Sequence, residues 1–351
     1  MREVLSDLER WREQDRAVAL ATVLQTWGSA PRGVGAKMAL TADGEIAGSV
    51  SGGCVEGAVF ETGQQVLKTG QPQLLHFGVA DETAWEVGLA CGGSIDVFVQ
   101  PLNANLYAAA RAALVEEQPA ASVTIVRGPA GSIGRGLVLR EDGSVTGVLG
   151  DGLDEPARAA ASAALLAGQS RRVALPDSIR PGSETEPVEI FIDVMLPAPT
   201  LIAVGGVHIA IALTALAKTL GYRTIVVDPR RIFGSDARFP HVDRLIQAWP
   251  DEALAQLSLT RSTALAMLTH DPKLDDPALL IALPSPAFYV GALGSRNTQA
   301  QRRERLRAAG LSEAQLARLQ GPIGIDIGAK TPEEIALAVV AQVTAARNGR
   351  I

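Results

Sequence analysis

The chain has 351 residues, 47% of them hydrophobic and 20% charged, the composition of an ordinary globular protein long enough for two domains. A net charge of -6 leaves no basic excess, which argues against nucleic acid and anionic membranes as partners. Two cysteines make no disulfide framework and fit a reducing compartment, so the thiols are expected to be free and the location cytoplasmic.

The N-terminus, Met1 to Trp11, has a charged amphipathic helix pattern and lacks the apolar core of a signal peptide. Gly28-Ser29-Ala30-Pro31-Arg32-Gly33-Val34-Gly35-Ala36-Lys37 sets two cations among glycines, a loop that either cradles an anion or is a solvated turn. Ala36 to Leu40 and Glu45 to Val50 are short apolar-leaning runs joined by Asp43-Gly44, which supplies the positive φ of a hairpin turn. Past Ser51-Gly52-Gly53-Cys54, the residues Val55, Val59, Phe60, Val66 and Leu67 recur at helical spacing, predicting a helix that opens just after the thiol. A helix start carries partial positive charge that favours thiolate, which makes Cys54 a candidate reactive or ligating group. A small buried hydrophobe is the competing reading. The other cysteine also adjoins glycines, in Ala90-Cys91-Gly92-Gly93.

Shifting the sequence by 99 positions reveals a partial copy. Gly35, Asp43, Gly44, Gly48, Gly53 and Glu56 meet Gly134, Asp142, Gly143, Gly147, Gly152 and Glu155, and the apolar pairs Met38/Leu137, Leu40/Leu139, Ile46/Val145 and Val50/Leu149 keep the same register. Two hairpin, turn and helix units are therefore expected, about 20–70 and 120–169. On this shift Leu153 stands opposite Cys54, so the scaffold does not require sulfur there, and a packed position is suggested.

Pro197 and Pro199 mark a domain junction, dividing the chain into 1–198 and 199–351. Ala198 to Ala217 carries no Asp, Glu, Lys or Arg, yet its glycines and His208 favour strand, turn and helix over a membrane span. Strands at Leu201 to Val204 and Thr224 to Val227 flank a helix from Ile209 to Leu220, and Asp228 follows the turn by about twenty residues, as in a dinucleotide-binding unit. Gly205, Gly206 and His208 form that turn; Val207 replaces the second fingerprint glycine, which weighs against a tightly bound dinucleotide. Three later turns lie beyond expected strand ends, where sheet ligands bind: Thr269-His270-Asp271, Gly294-Ser295-Arg296, and the loop with Asp326 and Lys330. Thr331-Pro332-Glu333-Glu334 is a helix start in its own right. The expected fold class is α/β: an N-terminal α+β domain built on the pseudo-repeat, then a Rossmann-like, doubly wound parallel sheet.

Ser51-Gly52-Gly53-Cys54-Val55-Glu56-Gly57, together with Gly28 to Arg32, Gly88 to Gly93, Thr269 to Asp271, Gly291 to Arg296 and Gly321 to Ile335, resembles the xanthine dehydrogenase accessory factor family, XdhC/CoxI. The resemblance spans both domains. It implies a cytoplasmic, homodimeric factor that holds the molybdenum cofactor (molybdopterin) and assists its sulfuration with a cysteine desulfurase-type donor. The factor then passes the cofactor to a molybdenum hydroxylase of the xanthine dehydrogenase or CO dehydrogenase type. On that reading Cys54 and Cys91 relay sulfur or contact molybdenum, and His270 and Asp271 complete the reactive set. Arg32, Lys37, Gly52, Gly53, Gly205, Gly206, His208, Asp228, Gly294, Ser295, Arg296, Asp326 and Lys330 hold the cofactor. The alternative is an NAD(P)-dependent oxidoreductase, with Asp228 on the ribose and His270 as acid or base.

Overall fold

The computed structural model describes residues 1–53, 55–78, 93–175 and 187–351. The chain forms two compact units, Met1–Pro197 and Ala198–Ile351. Among the described residues, no helix is long and apolar enough to cross a membrane.

In the first unit a short 3-10 turn leads into α1 (Leu5–Glu13), followed by β1 (Val18–Trp27), β2 (Lys37–Thr41), β3 (Ile46–Gly48), α2 (Glu56–Thr69), β4 (Gln73–Phe77) and β5 (Ser94–Pro101). A linking helix, α3 (Ala104–Val115), precedes β6 (Ala120–Arg127), β7 (Gly136–Arg140), β8 (Val145–Gly147), α4 (Asp154–Ala167), β9 (Arg171–Ala174) and β10 (Glu189–Met195). The two antiparallel sheets have the orders β3-β2-β1-β5-β4 and β8-β7-β6-β10-β9, one topology used twice. The pseudo-repeat read from glycines is thus a repeat of architecture.

The repeat extends to irregular features. Leu24 is skipped in the pairing of β1 with β5, and Val126 in that of β6 with β10, so both sheets carry a bulge at the same place. Phe98 lies opposite Thr22, as Phe191 lies opposite Thr124. Leu24, Phe98, Val126 and Phe191 then bury together in one cluster, so the copies meet through matching residues, as halves of a self-complementary pair do.

One part of the sequence register changes. Both repeat helices end on a left-handed glycine, Gly70 (φ 71) and Gly168 (φ 67), and both begin after a buried residue, Val55 and Leu153. Those pairs are 98 positions apart, so the shift of 99 that holds through Val50 and Leu149 loses a residue in the turn. Leu153 is the counterpart of Val55, not of Cys54, and Glu56 matches Asp154 rather than Glu155. The sulfur-bearing turn is the longer one, and the burial of Leu153 therefore says nothing of Cys54.

The second unit runs β11 (Thr200–Val204), α5 (His208–Thr219), β12 (Arg223–Val227), β13 (Arg244–Ile246), α6 (Pro250–Ala255), β14 (Thr263–Met267), α7 (Pro272–Ala282), β15 (Tyr289–Ala292), α8 (Arg296–Ala308), α9 (Glu313–Ala317), β16 (Leu319–Gln320) and α10 (Pro332–Arg347). Its six strands, in the order β13-β12-β11-β14-β15-β16, pair in parallel. Alternate residues of β11 and β14 feed opposite cores: Ile202, Val204, Leu265 and Met267 on one face, Leu201, Ala203, Ala264 and Ala266 on the other. The uncharged run from Ala198 is therefore a buried strand, a turn and helix α5. That helix starts at His208, one residue earlier than the periodicity indicates, because Val207 holds the extended N-cap conformation.

Candidate functional site

The turn ahead of α2 is organised by the first residue of that helix. The Glu56 carboxylate accepts from the Ser49 hydroxyl at 2.6 Å and from the N–H groups of Ser51 (2.8 Å), Gly52 (3.0 Å) and Gly53 (2.8 Å). Longer bonds come from Val50 and Val55, and the Ser51 hydroxyl donates as well. Burial raises this carboxyl, but the hydrogen bonds outweigh it and hold the group down at about 2. Successive N–H groups aimed at one anion make a nest, and here the protein's own carboxylate fills it. Gly52 and Gly53 are both in positive φ, at 83° and 123°. Their donors are committed, so what they can offer a ligand is bare backbone; a Cβ added at Gly53 would meet no atom of the described residues within 4 Å. In the second copy Asp154 takes the equivalent place with fewer partners, Leu149 N–H at 2.9 Å and Gly150 N–H at 3.1 Å.

Three segments singled out in the sequence meet at the end of β1. Arg32 donates from Nε to the Ser49 carbonyl at 3.2 Å and forms an ion pair with Glu3, while Pro31 lies 3.7 Å from a Cβ added at Gly52. Gly93 packs so closely on the carbonyls of Trp27 and Ser29 that a Cβ there would come within 2.4 Å of the Ser29 oxygen. Cys54 and Cys91 lie outside the described residues. Lys37 does not join the loop. It begins β2 with its side chain turned inward, donates to the Thr22 hydroxyl at 3.1 Å and pairs with Asp193 of the second copy at 2.9 Å, so its charge is spent inside the unit.

Beside this end stands an arrangement that sequence reading missed. His76 Nδ1 lies 2.6 Å from Asp96 Oδ1, and the other Asp96 oxygen accepts from Arg172 at 2.8 Å. Arg172 also pairs with Glu189, and the His76 ring meets Trp27 edge to face with centroids 6.0 Å apart. The four residues His76, Asp96, Arg172 and Trp27 come from β4, β5, β9 and β1, so no local spacing announces them. The alternation of β4 and β5 could have suggested only the His76 and Asp96 pairing.

In the second unit the expected residues gather at the carboxyl ends of the parallel strands, joined by buried groups. A Cβ on Gly205 would come within 2.5 Å of Thr269 Cγ2, and the Thr269 hydroxyl donates to Asp275 at 2.6 Å. Asp275 pairs with Arg302 at 2.9 Å, both fully enclosed, and Arg302 donates to the Leu293 carbonyl next to Gly294. Burial raises the Asp275 carboxyl above its usual range despite these partners. His270 sits here in the left-handed region at φ 62, while Asp271, Ser295 and Thr331 cap α7, α8 and α10. Asp326 accepts from Gly328 N–H, and Glu334 accepts from the Thr331 N–H in the capping box and from the Lys330 N–H beside it. His208, His270, Arg296 and Lys330 are exposed.

Asp228 is fully buried. Gly206 N–H donates to it at 2.8 Å, and Arg230 grips both its oxygens at 2.9 and 2.7 Å. Burial raises its carboxyl, and the bonds from Arg230 and Gly206 bring it below the usual range. A Cβ on Gly206 would meet the Phe233 carbonyl at 2.6 Å, and Arg238 donates to the Gly206 carbonyl at 2.7 Å. The chain's own 230–238 segment thus lies where a pyrophosphate and ribose would approach a dinucleotide fold.

Known proteins resemble this chain over nearly its whole length. Residues 201–343 match the family model described as the XdhC Rossmann domain, and residues 11–78 match that of the XdhC and CoxI family. A Bacillus subtilis protein named as a probable xanthine dehydrogenase component is 29% identical over 95% of this chain and 94% of its own length. The Escherichia coli molybdenum cofactor insertion chaperone PaoD is 26% identical over 95% of this chain and 84% of its own. The fold is shared with a crystal structure from Bacillus halodurans, titled a xanthine dehydrogenase, at TM-score 0.74 and 24% identity over 99% of this chain and 96% of that one.

Proposed function

Because the chain belongs to the XdhC and CoxI family, we propose that it is an accessory factor that binds the molybdenum cofactor, assists its sulfuration and inserts it into a molybdenum hydroxylase. The client on this reading is of the xanthine dehydrogenase or CO dehydrogenase type, and the sulfur comes from a cysteine desulfurase-type donor. The relative named as an insertion chaperone, alignable over most of both chains, supports the role.

The observation that carries the reading is the meeting of Arg32, the Ser51 to Val55 turn and Gly93 at one end of β1. The residues fit a ligand whose anionic group meets Arg32 while its body lies against the bare backbone of Gly52 and Gly53. The Arg32 side chain keeps 36% of its surface exposed, and no atom of the described residues lies within 4 Å of a Cβ added at Gly33 or Gly53. Arg32 is assigned to a phosphate, as a guanidinium suits that geometry. Cys54 and Cys91 are assigned to soft ligation or sulfur relay. The bound cofactor would supply the molybdenum chemistry; this chain's part is to hold and orient it. In the second unit, exposed His270, Arg296 and Lys330 are assigned to cofactor or client contact, with Asp271 and Ser295 shaping their turns. A homodimer in solution belongs to the same proposal. Against the nicotinamide-enzyme reading, the acid expected for the ribose is bound by Arg230.

The test is to purify the chain from a molybdenum-replete host and measure molybdenum and pterin per chain. The parent should hold both stoichiometrically, and Arg32→Ala and Cys54→Ala should each lose them. Unchanged retention in both variants would remove this site from the account.

A further inference from the structure

We propose that Trp27 and His76 form the subsite for the planar, nitrogen-rich ring of the bound cofactor, a pterin on the functional reading above, on which this inference rests. Trp27 is 42% exposed although it closes a strand whose first seven residues are buried, and its neighbour His76 is exposed over 61% of its side chain. An exposed imidazole on a strand is unremarkable when nothing holds it. This one is fixed from below. Asp96, only 10% exposed, accepts from Nδ1 and is itself held by Arg172 at 2.8 Å. A carboxylate can only accept, so in the neutral ring the proton sits on Nδ1 and Nε2 keeps its lone pair. The neutral ring thus sets an acceptor beside an aromatic face.

A comparison internal to the molecule separates this arrangement from simple stapling of the two sheets. In the register of the second copy, Glu189 occupies the place of Asp96 and Ala174 that of His76. Gln25 pairs with Asp96 as Arg127 pairs with Glu189, and two residues further along stand Trp27 and Pro129. The carboxylate under Arg172 is thus present in both copies, where it staples them. The two rings occur only in the copy that carries Arg32 and the longer turn. Trp27 runs directly into Gly28, and its carbonyl and that of Ser29 both pack on Gly93, so the rings and the Arg32 loop are continuous. A ring system with N–H groups on its edge and a phosphate on its tail matches this order of groups: an aromatic face, an imidazole acceptor, then a guanidinium.

The experiment uses the full-length chain and two readouts. One is binding of neopterin monophosphate, followed by the pterin's own fluorescence anisotropy; the other is cofactor retained on purification. Trp27→Ala should weaken binding of the probe roughly tenfold or more, the scale of losing one base-stacking ring. Trp27→Phe, which keeps a ring, should restore most of it. His76→Ala should cost about fivefold, the loss of one hydrogen bond. Glu189→Gln, which disturbs the Arg172 staple and touches neither ring, should bind as the parent does. Parent-like binding and retention in both Trp27→Ala and His76→Ala overturns the subsite and leaves the functional reading standing, provided the parent holds cofactor. A parent that holds no cofactor and ignores the probe overturns both.

Discussion

The first copy of the duplicated unit and the second share strand order, bulge and capping glycine, yet they differ in what they hold. In the first, the N–H groups of Ser51, Gly52 and Gly53 converge on the Glu56 carboxylate, Arg32 bonds the Ser49 carbonyl, and Trp27 at the end of β1 meets His76. In the second, three residues separate Leu149 from Leu153, and Asp154 receives two N–H groups. One copy serves as reference for the other: what both keep is scaffold, and what only the first has is the candidate machinery.

That division can be broken by experiment. The largest effect concerns what the copies share. Phe98→Ala and Phe191→Ala should each cost about 3–5 kcal/mol in urea unfolding, because each empties the same kind of space in the shared cluster. A cost near zero for one of them would end the equivalence. Where the copies differ, Glu56→Ala should cost about 2–3 kcal/mol and Asp154→Ala about 1 kcal/mol, since charged acceptors contribute per partner and Glu56 has more of them. Equal losses would mean that the extra bonds of the first turn do not stabilise it.

The same carboxylate sharpens the comparison through pH. Glu56 stays ionised in the fold down to about pH 2, whereas its ordinary value is 4.5. Between those values the unfolded chain binds more protons, so stability from this group is full above 4.5 and is lost as the pH falls toward 2. Glu56→Gln should flatten the acid limb of the stability curve over that window. An acid limb as steep as the parent's would place the responsible carboxylate elsewhere. The smallest effect is Arg32→Ala, whose half-exposed pair with Glu3 should be worth less than about 1 kcal/mol while cofactor retention is lost. Stability and retention falling together would make Arg32 structural.

Much of the fold is legible in the sequence. Periodicity places β11, β12 and β14, Asp43-Gly44 places the β2–β3 turn, and Thr331 to Glu334 forms the capping box those residue types imply. The repeat is legible from glycines in required conformations, such as Gly48 and Gly147 at φ 72 and 90. The lost residue in the turn is hidden, because Gly53 and Gly152 align well either side of the slip; helix ends, which follow hydrogen bonding rather than identity, reveal it. Lys37 looks like loop chemistry until strand alternation turns it inward to Asp193. Asp228 sits where a ribose acceptor belongs, but its neighbour Arg230 reaches back to it, a contact that spacing alone does not encode. His76 with Asp96, and Asp275 with Arg302, are partnerships across elements and leave no local pattern to read.

The most direct measurement is transfer. The chain loaded with cofactor is mixed with a cofactor-free hydroxylase of the xanthine dehydrogenase type, and hydroxylase activity is followed against free cofactor at equal concentration. The loaded chain should activate the hydroxylase faster and more completely, with cofactor leaving the chain as activity appears. Activation no better than from free cofactor, with the cofactor remaining on the chain, would contradict the proposed role.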